Sequence, residues 1–165
     1  MKDYSKYDNN QLIALLREET SSAAEAFNVI YFRYCEGLNS YCLFITENRM
    51  EAEDLHQETW LKFHRIAKSG KRDIKLPGYL YTIARTVSID MYRLKKNRPV
   101  QYSELFDIED IPDFLNLQTD IINHDLINTI ALAINQLSPN KREAFALKWF
   151  SGLNNQEIAQ ITGET

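Results

Sequence analysis

The chain has 165 residues, of which 44% are hydrophobic and 25% charged, with only five Gly and four Pro. These values are typical of a folded globular protein and disfavour a loop-rich all-β fold. No apolar run approaches the roughly 20 residues that span a bilayer, and the N-terminus lacks the apolar core of a signal peptide, so we expect a cytoplasmic protein. The formal net charge of −4 conceals one basic segment, residues 62–98, with 11 Lys or Arg against two acids. Such a segment is expected to meet a polyanion.

The first 98 residues have the periodicity of α-helices. Asn9 or Asn10 is expected to cap a short first helix. Apolar and aromatic residues then recur at three- and four-residue steps over 27–45, which predicts a long second helix with one buried stripe. A third helix is predicted over about 50–67, and a fourth, opened by Pro77, over about 77–98.

Two cysteines, Cys35 and Cys42, lie seven residues apart in the second predicted helix. That spacing separates them by about 10 Å along the helix axis, whereas the Cα atoms of a disulfide lie within roughly 7 Å of each other. We therefore expect two core thiols and no disulfide.

The fourth predicted helix has two contrasting faces. One is apolar and suits a core; the other carries Thr82, Arg85, Arg93 and Lys96 and offers cations to phosphate. Tyr79, Tyr81 and Tyr92 are interleaved with the cations, and aromatic rings beside lysines suit unpaired bases, whose stacking contributes about 1–3 kcal/mol per base. A plain basic surface with core tyrosines is the alternative.

The composition changes after Pro99. Residues 99–140 contain seven acids and no Lys or Arg, and the part up to about residue 117 has no clean period, which predicts an acidic linker. Helices are predicted again over 121–136 and 140–150, the latter opened by Ser138 and Pro139. Asn154 and Glu157 then have the spacing of a capping box for a short helix through Ile161.

The third predicted helix carries an acidic cluster. Asp54 and Glu58 are four residues apart with Gln57 beside them, which is consistent with a solvated face or with a binding surface. Glu53 and His56 match the Glu-x-x-His ligand spacing of di-iron bundles, but the sequence has no second copy of that motif. We expect no metal site, no cofactor and, because no catalytic signature is present, no enzyme.

Three motifs in order resemble the extracytoplasmic-function group of the sigma-70 family of bacterial RNA polymerase sigma factors. Residues 53–60 (EDLHQETW) resemble the region-two helix that docks on the clamp coiled coil of the largest polymerase subunits. Residues 77–93 (PGYLYTIARTVSIDMYR) resemble the helix that faces the minus-ten promoter element. Residues 137–145 (LSPNKREAF) and 152–163 (GLNNQEIAQITG) resemble region four.

The resemblance implies an all-α fold, with region two at 9–98, an acidic linker at 99–118 and an incomplete region four at 119–165. It implies a protein that binds core RNA polymerase and recognises and melts the minus-ten element of promoter DNA, with an anti-sigma factor as a further partner. The polymerase-binding residues would be Asp54, Leu55, Gln57 and Glu58. The loop 68–76 would hold a flipped base, and the DNA-binding residues would be Lys68, Lys71, Arg72, Lys75, Tyr79, Arg85, Arg93 and Lys96.

The sequence departs from the family pattern in three ways. Tyr79 stands where the family usually has Trp, and Thr86 where it often has Asn. The given sequence also stops in the turn before the second helix of the region-four helix-turn-helix, so we expect no minus-thirty-five recognition by the family's mode. Four residues are then expected to lack a packing partner and to leave this end loosely held: Phe145, Trp149, Ile158 and Ile161.

Two other functions stay open at this point. One is a truncated sigma-like interaction protein that binds polymerase or an anti-sigma factor without initiating transcription. The other is an ordinary helix-turn-helix DNA-binding regulator that ignores polymerase.

Overall fold

The computed structural model describes residues 4–18, 20–46, 48–70, 73–95 and 124–163. Within these ranges the fold is all-α, as expected. A short 3₁₀ helix, Tyr4–Lys6, precedes seven α-helices: α1 Asn9–Leu16, α2 Ser21–Ile45, α3 Arg49–Ser69, α4 Gly78–Lys95, α5 His124–Asn135, α6 Pro139–Ser151 and α7 Asn155–Thr162. The predicted acidic linker, 99–118, lies outside the described residues.

Side chains and glycines fix several of the helix ends. Asp8, rather than Asn9 or Asn10, caps α1, because its carboxylate accepts a hydrogen bond from the backbone N–H of Gln11 at 2.8 Å. Asn48 caps α3 in the same way, and Gly70 ends that helix in the left-handed conformation, with φ 66°. The capping box predicted at the start of α7 is present, so the sequence pattern there located a helix start correctly.

Helices α1 to α4 form a bundle in which α1 packs on α2, α2 on α3, and α3 on α4. An ion pair between Lys95 and Glu51 joins the end of α4 to the start of α3, so these two helices run antiparallel. The bundle's core consists of fully buried side chains from all four helices: Leu12, Ile30, Leu38, Tyr41, Leu55, Phe63, Leu80 and Val87. Burial of this apolar surface is the main term that stabilises the bundle.

The C-terminal helices α6 and α7 pack on α2 and α4 of this bundle. Ala146, Leu147 and Leu153 are buried, and the ring of Phe44 in α2 contacts the rings of Phe145 and Phe150. The expectation that this end lacks packing partners is therefore wrong for Phe145, Ile158 and Ile161, whereas Trp149 is 54% exposed, as expected. Ile158 is buried and Phe145 and Ile161 are half-buried, since α2 and α4 supply the apolar surface that the sequence analysis assumed to be missing.

The two cysteines carry free thiols, in agreement with their spacing. Cys42 is buried, and burial raises the pKa of its thiol to about 12. Cys35 is half-buried. Among the described residues, no helix combines the length and the apolar character that a membrane span requires.

Candidate functional site

The first candidate surface lies on α3. One side of this helix is packed in the bundle through Ala52, Leu55, Thr59 and Phe63. The opposite side presents Asp54 and Gln57 to solvent, with Glu58 half-buried at the edge. Glu58 pairs with Lys62 one turn later, at 3.9 Å between Nζ and Oε1, an arrangement that contributes only about 0.2–0.5 kcal/mol. These polar groups are therefore available to a partner.

Leu55 does not belong to this surface. Its motif put it among the expected polymerase-binding residues, but its side chain has no exposed surface and lies in the bundle core. The reason is helical geometry: Leu55 is one residue from Asp54, and a step of about 100° turns it towards α2 and α4. Its contribution is to hold α3 in place, and direct contact with a partner is excluded.

Two exposed apolar residues extend the acidic face of α3, and the sequence analysis did not single them out. Met50 is 73% exposed and Leu61 is 53% exposed. Both follow the spacing of Asp54, Gln57 and Glu58, so the five residues form one stripe about 16 Å long at about 1.5 Å per residue. We name these five residues the α3 stripe. The three- and four-residue steps from position 50 to position 61 were the signal that could have located its apolar ends.

The second candidate surface begins in the loop between α3 and α4. Lys68, expected in the loop, lies in the last turn of α3 instead. It is exposed, as is Lys75 of the loop, while Ile74 is buried and anchors the loop to the bundle. Lys71 and Arg72, also expected to bind DNA, lie outside the described residues. The loop borders an open cleft of about 380 Å³ whose other wall is α1, lined by Asn10, Ile13, Ala14, Arg17, Asp73, Ile74 and Lys75. This lining combines apolar side chains with two cations, Arg17 and Lys75, and one acid, Asp73. Apolar groups beside cations suit a ring attached to a phosphate chain.

The third candidate surface is the outer side of α4. Thr82 and Arg93 are exposed, as expected, and Tyr79 is half-buried against the core. Lys96 lies outside the described residues. Tyr81 is buried, with its ring edge-on to that of Tyr41 at 5.3 Å, so it is a core residue and not a stacking platform.

Arg85 occupies a different environment from the one expected. Its Nε donates to Oε1 of Glu143 in α6 at 2.9 Å, and the two side chains are 29% and 19% exposed. The hydroxyl of Tyr41 also donates to Glu143 Oε1, at 3.3 Å. Burial, followed by the negative charge of Glu143, raises the pKa of Tyr41 well above its ordinary value, so the phenol stays protonated. Arg85 is thus only partly exposed, because α6 covers part of it, and its assignment to DNA stays a prediction.

His56 has a structural environment rather than a metal site. Its Nε2 accepts a hydrogen bond from the indole N–H of Trp60 at 3.0 Å, and its ring contacts Tyr31. Burial lowers the pKa of His56, which favours the neutral acceptor form. Among the described residues, no group of three or more His, Cys, Asp or Glu side chains is placed to hold a metal ion.

Comparisons with known proteins agree with this geometry. Residues 31–98, which contain most of α2 and all of α3 and α4, match the family model of sigma-70 region 2. The ECF RNA polymerase sigma factor BldN of Streptomyces coelicolor is 26% identical over 95% of this chain and 60% of its own length. Two Bacillus subtilis sigma factors, SigX and SigW, are 24% and 27% identical, over 72% and 77% of their own lengths.

The chain thus spans about three fifths of BldN, while the match to SigX and SigW covers 82% and 83% of this chain. The region-2 match falls on the α3 stripe, the loop and α4 together, and each of these relatives is an ECF sigma factor by name. Residues 31–98 are thus similar to sigma-70 region 2, and the chain as a whole is similar to ECF sigma factors.

Proposed function

We propose that this protein is a sigma subunit that binds core RNA polymerase through the α3 stripe and recognises and melts promoter DNA with the loop and α4. The observation that carries the proposal is the difference in charge between two neighbouring exposed surfaces. The α3 stripe is acidic and mostly exposed, with Glu58 half-buried, whereas Lys68 at the end of α3, Lys75 in the loop and Arg93 in α4 are exposed cations. One molecule can therefore hold a protein and a nucleic acid at once.

The α3 stripe has the composition of a protein-docking surface. Met50 and Leu61 offer exposed apolar contacts, and Asp54, Gln57 and Glu58 between them offer charge and hydrogen-bond acceptors. An apolar contact supplies affinity, and the charges set orientation and the rate of encounter. The family relationship makes the clamp coiled coil of polymerase the expected partner.

The cleft beside the loop would hold an unpaired base of the non-template strand. Its lining includes Ile13 and Ala14 of α1 and Lys75 of the loop. Capture of an extruded base offsets the few kcal/mol required to unstack it, so binding of the single strand would assist melting. The protein supplies binding alone, and the chemistry of RNA synthesis belongs to polymerase, in the cytoplasm of a bacterium.

The domain assignment follows from the same proposal. Region two would comprise 9–98, joined by the linker 99–118 to region four at 119–165. A second candidate, a sigma-like protein that binds polymerase or an anti-sigma factor without initiating, is favoured by one observation: the Arg85 guanidinium is already paired with Glu143. Formation of an open complex by the protein together with core polymerase separates the two candidates.

Titration of fluorescently labelled protein with core polymerase tests the proposal. The variant Asp54→Lys/Glu58→Lys is expected to lose roughly 100-fold or more in affinity, because like charges placed across an interface cost several kcal/mol. The control Glu25→Lys/Glu36→Lys makes the same charge change at two exposed acids of α2 and is expected to bind as the wild type does. Equal binding by both double variants would reject the α3 stripe as the docking surface.

A further inference from the structure

Asn9, in the first turn of α1, makes hydrogen bonds to two other parts of the bundle. Its Nδ2 donates to the backbone oxygen of Leu76 at 3.3 Å, 67 positions further along the chain. Its Oδ1 accepts from the Arg33 guanidinium at 2.8 Å and from the Tyr34 hydroxyl at 3.0 Å, both in α2. One half-buried side chain therefore joins α1, α2 and the end of the loop that precedes α4.

The partners of this amide fix its orientation. The Arg33 guanidinium can only donate, so the amide oxygen of Asn9 must face it, and the NH₂ group then faces the Leu76 carbonyl, which can only accept. The guanidinium is itself held in place, since its Nη2 donates to the backbone oxygens of Ser5 and Tyr7 at 3.2 Å and 3.0 Å. The donor that meets Leu76 is therefore preorganised.

The Asn9–Leu76 hydrogen bond lies at one end of the cleft that the proposed function assigns to an unpaired base. Asn9 directly precedes the α1 wall of this cleft, and Leu76 directly follows the loop wall. The α1 wall consists of Asn10, Ile13, Ala14 and Arg17, and the loop wall of Asp73, Ile74 and Lys75. The hydrogen bond therefore ties the two walls together at a point where neither bonded residue lines the cleft.

We propose that Asn9 is a positioning residue for single-stranded DNA: its bond to Leu76 fixes the separation of α1 from the loop, and with it the width of the cleft. This role rests on the proposed function, since it requires that the cleft takes a base. Asn9 acts through the loop and not by contact with DNA, because it is not among the residues that line the cleft.

Base capture and phosphate binding differ in their demand for a fixed width. Contact between a base and apolar walls weakens steeply with distance, so that a gap of 0.5–1 Å already forfeits about a quarter to a half of the attraction. A lysine carries its charge on a flexible stem and follows a phosphate that moves. Loss of the Asn9–Leu76 bond is therefore expected to weaken the capture of bases and to spare the contacts with phosphate.

The variant Asn9→Asp removes this one bond. Its carboxylate keeps an oxygen that accepts from Arg33 and Tyr34, but it turns a second oxygen, which cannot donate, towards the Leu76 carbonyl. Because this variant adds a negative charge, Asn9→Leu is measured beside it, which is uncharged and also loses the bond. The matched controls are Asn28→Asp and Asn28→Leu, the same two substitutions at an exposed position of α2.

Fluorescence anisotropy with a labelled 15-nucleotide single strand separates the two contributions. One form of the strand is oligothymidine, and the other is abasic throughout and has the same phosphates. The wild type is expected to bind the form with bases roughly 5- to 150-fold more tightly, the range that stacking of one base gives. In both Asn9 variants this ratio is expected to fall about fivefold, the factor for one hydrogen bond of ordinary strength. The affinity of Asn9→Leu for the abasic form is expected to stay that of the wild type.

A second measurement needs no DNA. Amide hydrogen exchange, followed by NMR spectroscopy, is expected to be faster at Ile74 and Lys75 in both Asn9 variants than in the wild type and in the Asn28 variants. Exchange at Leu38, which is fully buried in α2, is expected to stay unchanged in all of them. This pattern would show that the bond holds the loop and that the bundle itself is intact.

Three results would overturn the positioning role. The first is a wild type that prefers the strand with bases beside Asn9 variants that keep the same ratio. The second is unchanged exchange at Ile74 and Lys75, since the bond would then not hold the loop. The third is an equal fall of the ratio in the Asn28 variants. Failure of the proposed base site is a separate observation, visible as equal binding of the two strands by the wild type, and it removes the positioning role as well.

Discussion

Two lysines provide the sharpest numerical prediction: Lys68 in the last turn of α3 and Lys75 in the loop that follows. Lys68 and Lys75 are both exposed, so we assign each of them to a phosphate of the bound single strand. Each such contact adds about 0.7 to the slope of log affinity against log salt concentration. The variant Lys68→Ala/Lys75→Ala is therefore expected to have a slope smaller by about 1.4. Between 50 and 200 mM salt, the wild type should lose about sevenfold more affinity than the variant does.

The assay is fluorescence anisotropy with the labelled single strand across that range of salt. The control Lys6→Ala/Arg49→Ala also removes two exposed cations and is expected to keep the wild-type slope. Arg85→Ala should change the slope by less than either lysine does alone, because Glu143 already neutralises that guanidinium. A wild-type slope in the loop variant would refute the assignment of these lysines to phosphate.

Three further predictions concern stability, and the first also concerns binding. Leu55→Ala should lower the free energy of unfolding, measured by urea denaturation, by about 2–5 kcal/mol. Leu61→Ala should change that free energy by no more than about 0.5 kcal/mol but should weaken polymerase binding. Equal destabilisation by the two variants would contradict the difference in burial between Leu55 and Leu61. Asn154→Ala removes an N-cap and should cost about 0.5–2 kcal/mol, visible as faster amide exchange in α7, and unchanged exchange would contradict the cap. Burial lowers the pKa of His56, so at acid pH the unfolded chain binds more protons than the folded one, and stability falls as pH drops through about 6.5. Thermal unfolding at pH 7.5 and 5.5 should show that this loss of stability is reduced in His56→Gln but retained in His64→Gln. An equal loss in both variants would argue against a role of His56 in the pH dependence.

Much of the fold follows from local signals in the sequence. The apolar stripe of α2 predicted which of its sides is buried, and the spacing of Asn154 and Glu157 located the start of α7. Such signals work because a helix repeats every 3.6 residues and because its first N–H groups need acceptors. The first cap was assigned one or two residues too late, since Asp8 precedes the two asparagines that also suit a cap.

Other features depend on residues far apart in the chain. Arg85 and Glu143 are 58 positions apart, and no periodicity within α4 can show that another helix covers one of its cations. Gly37 carried a signal that was not used, because a glycine inside a long helix often marks the close approach of another backbone, here that of Phe150. Leu55 was assigned from its motif, although its apolar character and its position on α3 favoured burial.

The most direct test of the central claim is site-specific photo-crosslinking at the α3 stripe. With p-benzoylphenylalanine in place of Gln57, which is exposed between Asp54 and Leu61, the account predicts a crosslink to a largest subunit of core polymerase upon irradiation. The same photoreactive residue in place of Asn28, an exposed position of α2, should give none. Equal yields at the two positions, or no crosslink at position 57 in a protein that folds normally, would contradict the assignment of this surface to polymerase.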